Sequence, residues 1–462
     1  MIEQGRSTFV MDVSGRYLDR LAGLERVISP ELIRQALSKT SRFNVRSCKL
    51  THEIMLWVMV AMGLFTNVPI RQVFKECRRL RRGEPTPSRS GLCEARRRLG
   101  VEPVRQLHAD VVRPLATPET PGAFYKDLRL MSIDSTLLDV CDSQANAAAF
   151  DRASNGDGEG GFPQVRKASL VEVGTHVEVA FETGGYQDGE QTLARQLFSR
   201  IPAGVLLLED RGFFCYADWK TLDSQGVKLL VRLKKNLIVK PIQSLPDGSS
   251  LAKIYPSEYC RKKDRQGIIV RLIEYTLDDP QRVGHGEKHR LLTNLLAPEF
   301  APALELIPGY HERWEQELTY DEQKTHQDPI RAEKPANLRS ETPEGVRQEL
   351  YALSLGHFVV RALMFEAARP LKLDTDRLSF TGCFRVIRCR LPECQQQTPE
   401  TFAEWYEALM EELQHERIPQ RVNRINPRVI KRKVSKWPKK RGRHKSPKPL
   451  TKTFVQSIVM AN

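Results

Sequence analysis

LRLMSIDSTLLDV, residues Leu128 to Val140, is where the hydrophobic spacing changes from helical to strand-like, and its reading decides the fold. An aspartate, Asp134, stands inside this otherwise apolar run. Downstream, KASLVEVGTHVEVAFETGG (Lys167 to Gly185) reads as two more strands joined near Gly174 or Thr175. Asp188 to Ile201 has an amphipathic helical pattern, and GVLLLEDRGF (Gly204 to Phe213) is a further apolar strand. A helix then passes through Trp219 and Leu222, and VKLLVRLKKN (Val227 to Asn236) is a strand again. Three strands, helix, strand, helix, strand fits a mixed α/β sheet with helices on both faces, while the pattern alone also admits other α/β folds. The string SNGDGEGG (Ser154 to Gly161) is expected to be a flexible loop between the first two strands.

Further along, residues 238 to 289 contain strand-like fragments such as GIIVRLIEYTL between turns and read as a β-rich insertion. HRLLTNLL (His289 to Leu296) is a strand, and after it a long helix is expected from near Pro302 to beyond Lys324, then a helical segment from Pro343 to Ala368. On the other side of Leu128, residues from about 15 to 120 look helical. Ser29 precedes Pro30 and Glu31 as a cap, and Ile54 to Leu64 reads as a buried helix. With Phe65 this is the longest apolar run, too short to span a bilayer, so neither a membrane span nor a secretory leader is expected.

From Arg71 to Arg105 there are 11 Lys or Arg against four Glu, arranged as two basic helices about a turn at Pro85 and Pro87. Ser88 or Ser90 can cap the second helix, whose Leu92, Ala95 and Leu99 share one face. Arg96, Arg97 and Arg98 cannot all point inward, and they are expected at DNA phosphates or base edges, the alternative being a solvated face.

The chain has 462 residues and is 40% hydrophobic, enough for a sizeable core in two or three domains. Its formal net charge is +15, and the 15 Lys or Arg between Arg417 and Lys452, with no acid among them, equal that excess. Such a run attracts a polyphosphate, because each neutralised phosphate releases counterions, so nucleic acid is the expected partner. Lys431, Arg432, Lys433, Lys439, Lys440 and Arg441 are its densest part. Nine scattered cysteines suit a reducing cytosol. Cys383, Cys389 and Cys394 do not have the spacing of a zinc knuckle and are expected to be buried thiols. His285 and His289 lie in a Gly- and Lys-containing turn and read as solvated.

Asp210 ends the strand VLLLED much as Asp134 stands in SIDST, and an ionised carboxylate at such a place is costly unless paired or bound to a cation. In YHERWEQELTYDEQK, Tyr310, Arg313, Glu317 and Lys324 are offset so that one continuous helix would carry them on a stripe roughly 60° wide. A helix displaying that set faces a charged, phosphate-bearing centre; a salt-bridged surface helix is the alternative.

Tyr, two residues, Arg, three residues, Glu, six residues, Lys is the YREK signature of the insertion-sequence-four DDE transposases, and this sequence resembles that family at every spacing. LLTNLL, Asp210 to Phe213, LRSETPEGVRQELYALSLGHFVVRA and NPRVIKRKVSKWPKKR resemble it too, so the likeness covers nearly the whole chain.

The resemblance implies a ribonuclease-H-like domain with a catalytic triad of Asp134, Asp210 and Glu317 that binds two Mg²⁺ or Mn²⁺. Tyr310, Arg313 and Lys324 would bind phosphates around the cut, and Trp314 would stack on an extruded base unless it is core. The implied chemistry is strand nicking at element ends, a hairpin step and joining to target DNA, by a homodimer in the bacterial cytoplasm, nucleoid-associated when bound to DNA.

The expected organisation is a helical DNA-binding domain over 1–120 and a catalytic domain in two parts, 121–237 and 291–370, interrupted by the β-rich insertion at 238–290. A C-terminal region, 371–462, carries the basic tail. A non-catalytic DNA-binding regulator and a structure-selective nuclease of the same fold are the competing readings.

Overall fold

The computed structural model describes residues 19–42, 49–77, 86–155, 158–281, 285–329, 337–419 and 450–460. Its strands are β1 (Phe124–Tyr125), β2 (Leu128–Asp139), β3 (Arg152–Asn155), β4 (Gly158–Glu172), β5 (Val177–Gly184), β6 (Val205–Glu209), β7 (Lys228–Arg232), β8 (Pro241–Ser244), β9 (Ser250–Ile254), β10 (Ile268–Leu277), β11 (His289–Thr293) and β12 (Ile458–Met460). The helices are α1 (Pro30–Lys39), α2 (His52–Leu64), α3 (Ile70–Cys77), α4 (Arg89–Leu99), α5 (Glu102–Val111), α6 (Gln144–Phe150), α7 (Glu190–Leu197), α8 (Tyr216–Ser224), α9 (Glu258–Lys262), α10 (Ala303–His311), α11 (Trp314–Asp321), α12 (Pro343–Ala368), α13 (Phe380–Arg390), α14 (Pro399–His415) and α15 (Phe454–Ser457). The chain divides into two compact units, and β2 passes from one into the other.

The first unit comprises Met1–Phe124, Ile133–Arg200 and Glu315–Ile418. Its core is built on α2, every residue of which from Ile54 to Leu64 is buried, packed with α12. Thr51 caps α2 by accepting from the Ile54 amide, and Ser29 and Ser88 cap α1 and α4 in the same way. Pro343–Leu371 is long and apolar enough to cross a membrane, yet 78% of its most apolar stretch is buried inside the protein, where it serves as a core helix. The two helix backbones approach closely at two glycines. A Cβ on Gly63 would lie 1.9 Å from the Ala352 carbonyl oxygen, and one on Gly356 would lie 2.6 Å from the Gly63 carbonyl carbon. In the same unit β4 pairs antiparallel with β5 from Arg166↔Gly184 to Glu172↔Val177, through a 3₁₀ turn at Val173–Thr175, as the sequence suggests.

The stretch expected to be a loop at Ser154 to Gly161 is instead mostly strand, because β3 and β4 form an antiparallel hairpin with Ser154 opposite Glu159. The period-two signal is masked there by glycine, which offers no side chain for the pattern. Cys383 and Cys394 are buried, whereas Cys389 is exposed.

The second unit comprises Tyr125–Ser132, Ile201–Trp314 and Pro419–Asn462. β6 and β7 are parallel, and β7, β11, β10, β9 and β8 follow in antiparallel succession, which makes the sheet mixed. The five residues of β6 are all buried, as a strand covered on both faces should be. Arg271 is buried in the insertion, where it donates to Asp247, to Ser249 Oγ at 2.7 Å and to the Leu295 and Ala301 carbonyls. The chain beyond the basic stretch is not a free tail. α15 leads into β12, which pairs with β10 from Tyr275↔Met460 to Leu277↔Ile458, and Lys452 meets Asp278 at 2.6 Å.

Candidate active site

In the second unit, β6 delivers Asp210 half-buried at its C-terminal end, where the chain turns and the Phe213 amide donates to the Asp210 carbonyl at 2.9 Å. Phe213 is buried and anchors that turn. The preceding Glu209 is buried as well. Removal from water, with Asp218 nearby, pushes its carboxyl up to about 8, so it stays protonated near neutrality. Tyr310, buried on α10, donates its hydroxyl to the Glu209 carbonyl at 3.3 Å. Burial raises the Tyr310 hydroxyl and Asp210 raises it further, while the neighbouring Arg313 opposes them and bonds to it. Asp210, Tyr310 and Arg313 therefore share one neighbourhood. Trp314 is 50% exposed, with the Arg313 guanidinium 5.9 Å from its ring, so it is not a core residue.

In the first unit, the part of β2 that begins at the buried Ile133 holds Asp134 half-buried, and the Ser135 amide donates to its Oδ1 at 2.8 Å. Tyr320 on α11 donates its hydroxyl to the Asp134 carbonyl at 2.8 Å. Burial, reinforced by Asp134, holds that hydroxyl far above its ordinary range. Glu317 is half-buried on α11, one turn before Tyr320. Lys324 donates to Thr136 Oγ1 at 3.1 Å and to the Leu137 carbonyl at 2.6 Å, so its head reaches the same strand.

The long helix expected from Pro302 past Lys324 is not continuous. α10 contains Pro308 and ends in tight turns, Glu312 N–H to Gly309 O at 3.3 Å and Arg313 N–H to Tyr310 O at 3.2 Å. α11 begins at Trp314, and Glu322–Gln327 winds as a π-helix. A single stripe of Tyr310, Arg313, Glu317 and Lys324 at a fixed angle per residue therefore does not describe this segment; the tight turns at Glu312 and Arg313 and the wider π turn reset the angle.

Arg96, expected at DNA, is committed to the interior. It donates to Gln348 Oε1 at 2.8 Å and the Gly345 carbonyl at 2.6 Å, and pairs with Glu349 at 3.5 Å. Arg97 and Arg98 are exposed, with Arg97 on Glu94 at 2.8 Å. Lys431, Arg432, Lys433, Lys439, Lys440 and Arg441 lie outside the described residues. His285 is exposed, whereas His289 is half-buried and stacks on Tyr275 at 5.1 Å. Sequence reading missed Tyr320 and Glu209. A tyrosine three residues beyond Glu317, and an acid immediately before Asp210 in an apolar strand, were the available signals.

Residues 125–355 match the family described as Transposase DDE domain, and residues 18–109 match Insertion element 4 transposase N-terminal. The chain is similar to Transposase InsG for insertion sequence element IS4 of Escherichia coli (strain K12), 29% identical over 439 residues, 93% of this chain and 96% of that one. It is also similar to Putative transposase InsZ of the same strain, 24% identical over 200 residues, 42% of this chain and 65% of that one. Among solved structures, the piggyBac transposase synaptic complex with hairpin DNA has a TM-score of 0.40 at 11% identity, covering 86% of this chain and 85% of that one. The DDE domain goes with the α/β architecture described above, of ribonuclease-H-like type. With half of its length in that domain and a matching N-terminal region before it, the chain belongs to the insertion-sequence-four family of DDE transposases, polynucleotidyl transferases and endonucleases that act on DNA.

Proposed function

We propose that Asp134, Asp210 and Glu317 are the catalytic carboxylates of a cut-and-paste transposase acting at the terminal inverted repeats of its own element. What supports this reading is the company each aspartate keeps within its own unit: Tyr310 of the motif bonds the carbonyl next to Asp210 in the second, and Tyr320, one turn after Glu317, bonds that of Asp134 in the first. The donor set, three half-buried carboxylates, suits a hard divalent cation, Mg²⁺ or Mn²⁺ and two per site. Such ions, when bound, favour ionisation of an attacking oxygen and offset charge on the leaving one.

Tyr310, Arg313 and Lys324 hold the phosphates flanking the cut. For Lys324 this means exchanging its bonds to Thr136 and Leu137 for phosphate oxygens. Water attacks the phosphodiester at the element's end, breaking the P–O3′ bond and freeing a 3′-hydroxyl. That hydroxyl attacks a phosphodiester of the opposite strand, closing a hairpin while the flanking DNA leaves as a 3′-hydroxyl; water then reopens the hairpin, and the freed 3′-hydroxyl attacks a target phosphodiester, displacing a target 3′-hydroxyl as it joins. Trp314 stacks on a displaced base and Arg97 and Arg98 contact phosphates, roles that the exposure of all three supports. A homodimer synapsing two ends, with cleavage in trans, completes the proposal, as do the basic residues between Arg417 and Lys452 as a DNA contact and the bacterial nucleoid as the place of action.

A duplex carrying the element's ends, incubated with Mg²⁺ or with EDTA, tests this. Metal-dependent nicking followed by hairpin and strand-transfer products is expected, and nicking without joining would instead indicate a structure-selective nuclease. Asp134→Ala should abolish nicking and leave end binding intact; surviving activity would remove Asp134 from the site. The basic stretch is best tested by neutralising its lysines, since truncation after Pro419 would also delete β12 from the sheet.

A further inference from the structure

The inner side of the segment carrying Glu317 is polar. Glu315, Gln316, Thr319, Glu322, Gln323 and Gln327 are all buried, where a helix ordinarily presents aliphatic groups. Each has a directional partner. Gln316 donates to the Ser169 carbonyl at 3.0 Å, and Gln327 donates to the carbonyls of Gly63 at 2.8 Å and Leu353 at 2.9 Å. Gln323 accepts from the fully buried Lys167 at 2.7 Å, and Thr319 bonds back to the Glu315 carbonyl at 3.0 Å.

Glu322 stands at the centre of this arrangement. Its Oε2 accepts from Arg361 Nε at 3.0 Å and His357 Nε2 at 2.9 Å, while its Oε1 accepts from His176 Nδ1 at 3.0 Å and from the Arg361 guanidinium. On its other side the His176 ring meets Glu315 Oε2 at 2.8 Å and Asp376 Oδ1 at 3.0 Å through Nε2. Burial and Arg361 disfavour a charged ring, but Asp376 and Glu322 outweigh them and keep it protonated. His176 thus ties Glu315 to Glu322 across the segment, with Glu317 between them. The trio His176, Glu315 and Asp376 presents ligand atoms within 4.8 Å of one another, yet the Arg361 guanidinium already stands at the ring and supplies positive charge, so the set works as an ion lock.

Apolar packing is non-directional and lets a helix slide or rotate, whereas charge-assisted hydrogen bonds fix angle and register. The π-helix at Glu322–Gln327 starts at the locked residue, and a π turn is a winding that side-chain contacts must hold. We propose that Glu322, gripped by Arg361 and His176, is a positioning residue that sets the rotation of the Glu317 carboxylate. This rests on the reading of Glu317 as a catalytic carboxylate.

The test uses the full chain, end duplex, and Mg²⁺ or Mn²⁺ alone as the ion. Glu322→Gln keeps the shape and removes the charge. Folded protein with end binding in EDTA within about threefold of wild type, nicking reduced on the order of 100-fold, and a half-saturating ion concentration raised on the order of 10-fold is the expected pattern. Wild-type nicking with unchanged ion dependence would overturn the proposal. Should Glu322→Gln not fold, Arg361→Lys keeps the charge but loses the two-pronged grip. It should raise the half-saturating ion concentration several-fold with end binding unchanged, and an unshifted ion dependence overturns the proposal equally. Glu317→Gln separates the layers: if it still nicks, the underlying reading fails, whereas its inactivity beside a fully active Glu322→Gln sinks only the positioning role.

Discussion

α2 and the stretch from α11 through the π-helix are both buried in the first unit, yet they are held by opposite means. α2 is apolar on all sides and is fixed by shape, most tightly at Gly63. The inner face of α11 and its π extension has no aliphatic residue among Glu315, Gln316, Thr319, Glu322, Gln323 and Gln327. The first arrangement gives stability from area removed from water and tolerates small adjustments. The second gives an orientation, and leaves charged groups stranded if one partner is lost.

The sharpest way to break the comparison is Glu322→Ala, which strips Arg361 and His176 of their shared anion and should destabilise by about 3–5 kcal/mol in urea unfolding. A loss below about 1 kcal/mol would mean that the network is incidental. The next effect is pH. Glu178 and Asp376, held by Lys167 and His176 against burial, are each depressed to about 2. Depressed carboxyls contribute stability that is complete above their unfolded values, about 4.5 and 3.8, and lost as pH falls towards 2.

Raised His176 acts in the opposite sense, its contribution present below its unfolded value of 6.5 and lost as pH climbs through its elevated folded value. Denaturant midpoints should therefore drop between pH 5 and pH 3, on the order of 3 kcal/mol for the carboxylates, and a flat profile across that window would contradict the assignment. The smallest contrast is chemical: Gln323→Met, near in volume, should cost about 1–3 kcal/mol by removing one acceptor from the buried Lys167 ammonium, which keeps Glu178 as its other partner, while Met59→Leu in α2 should cost under about 1.5 kcal/mol. Equal effects would erase the distinction drawn between the two segments.

Much of this was legible in the sequence. The strand pattern around Asp134 and Asp210 and the bounds Pro343 to Ala368 are where periodicity put them. Periodicity reports which face is apolar, so it could not foresee a buried face made of Glu and Gln, and it treated Arg96 as a surface group. Nor does it register where a helix is interrupted. Pro308 lies four residues before the actual break at Glu312, and a π turn has no compositional mark. β12 was hidden because the cations before it suggested a tail to the end, and the partner of a three-residue strand is a property of the sheet.

The meeting of Gly63 with Gly356 bears on how such proteins can be recombined in the laboratory. Neither position can gain a methyl group while the opposite backbone stays in place. A chimera that imports residues 52–64 from a homologue with a bulkier contact point must therefore import residues 343–368 along with them, and the two distant stretches behave as a single exchangeable block.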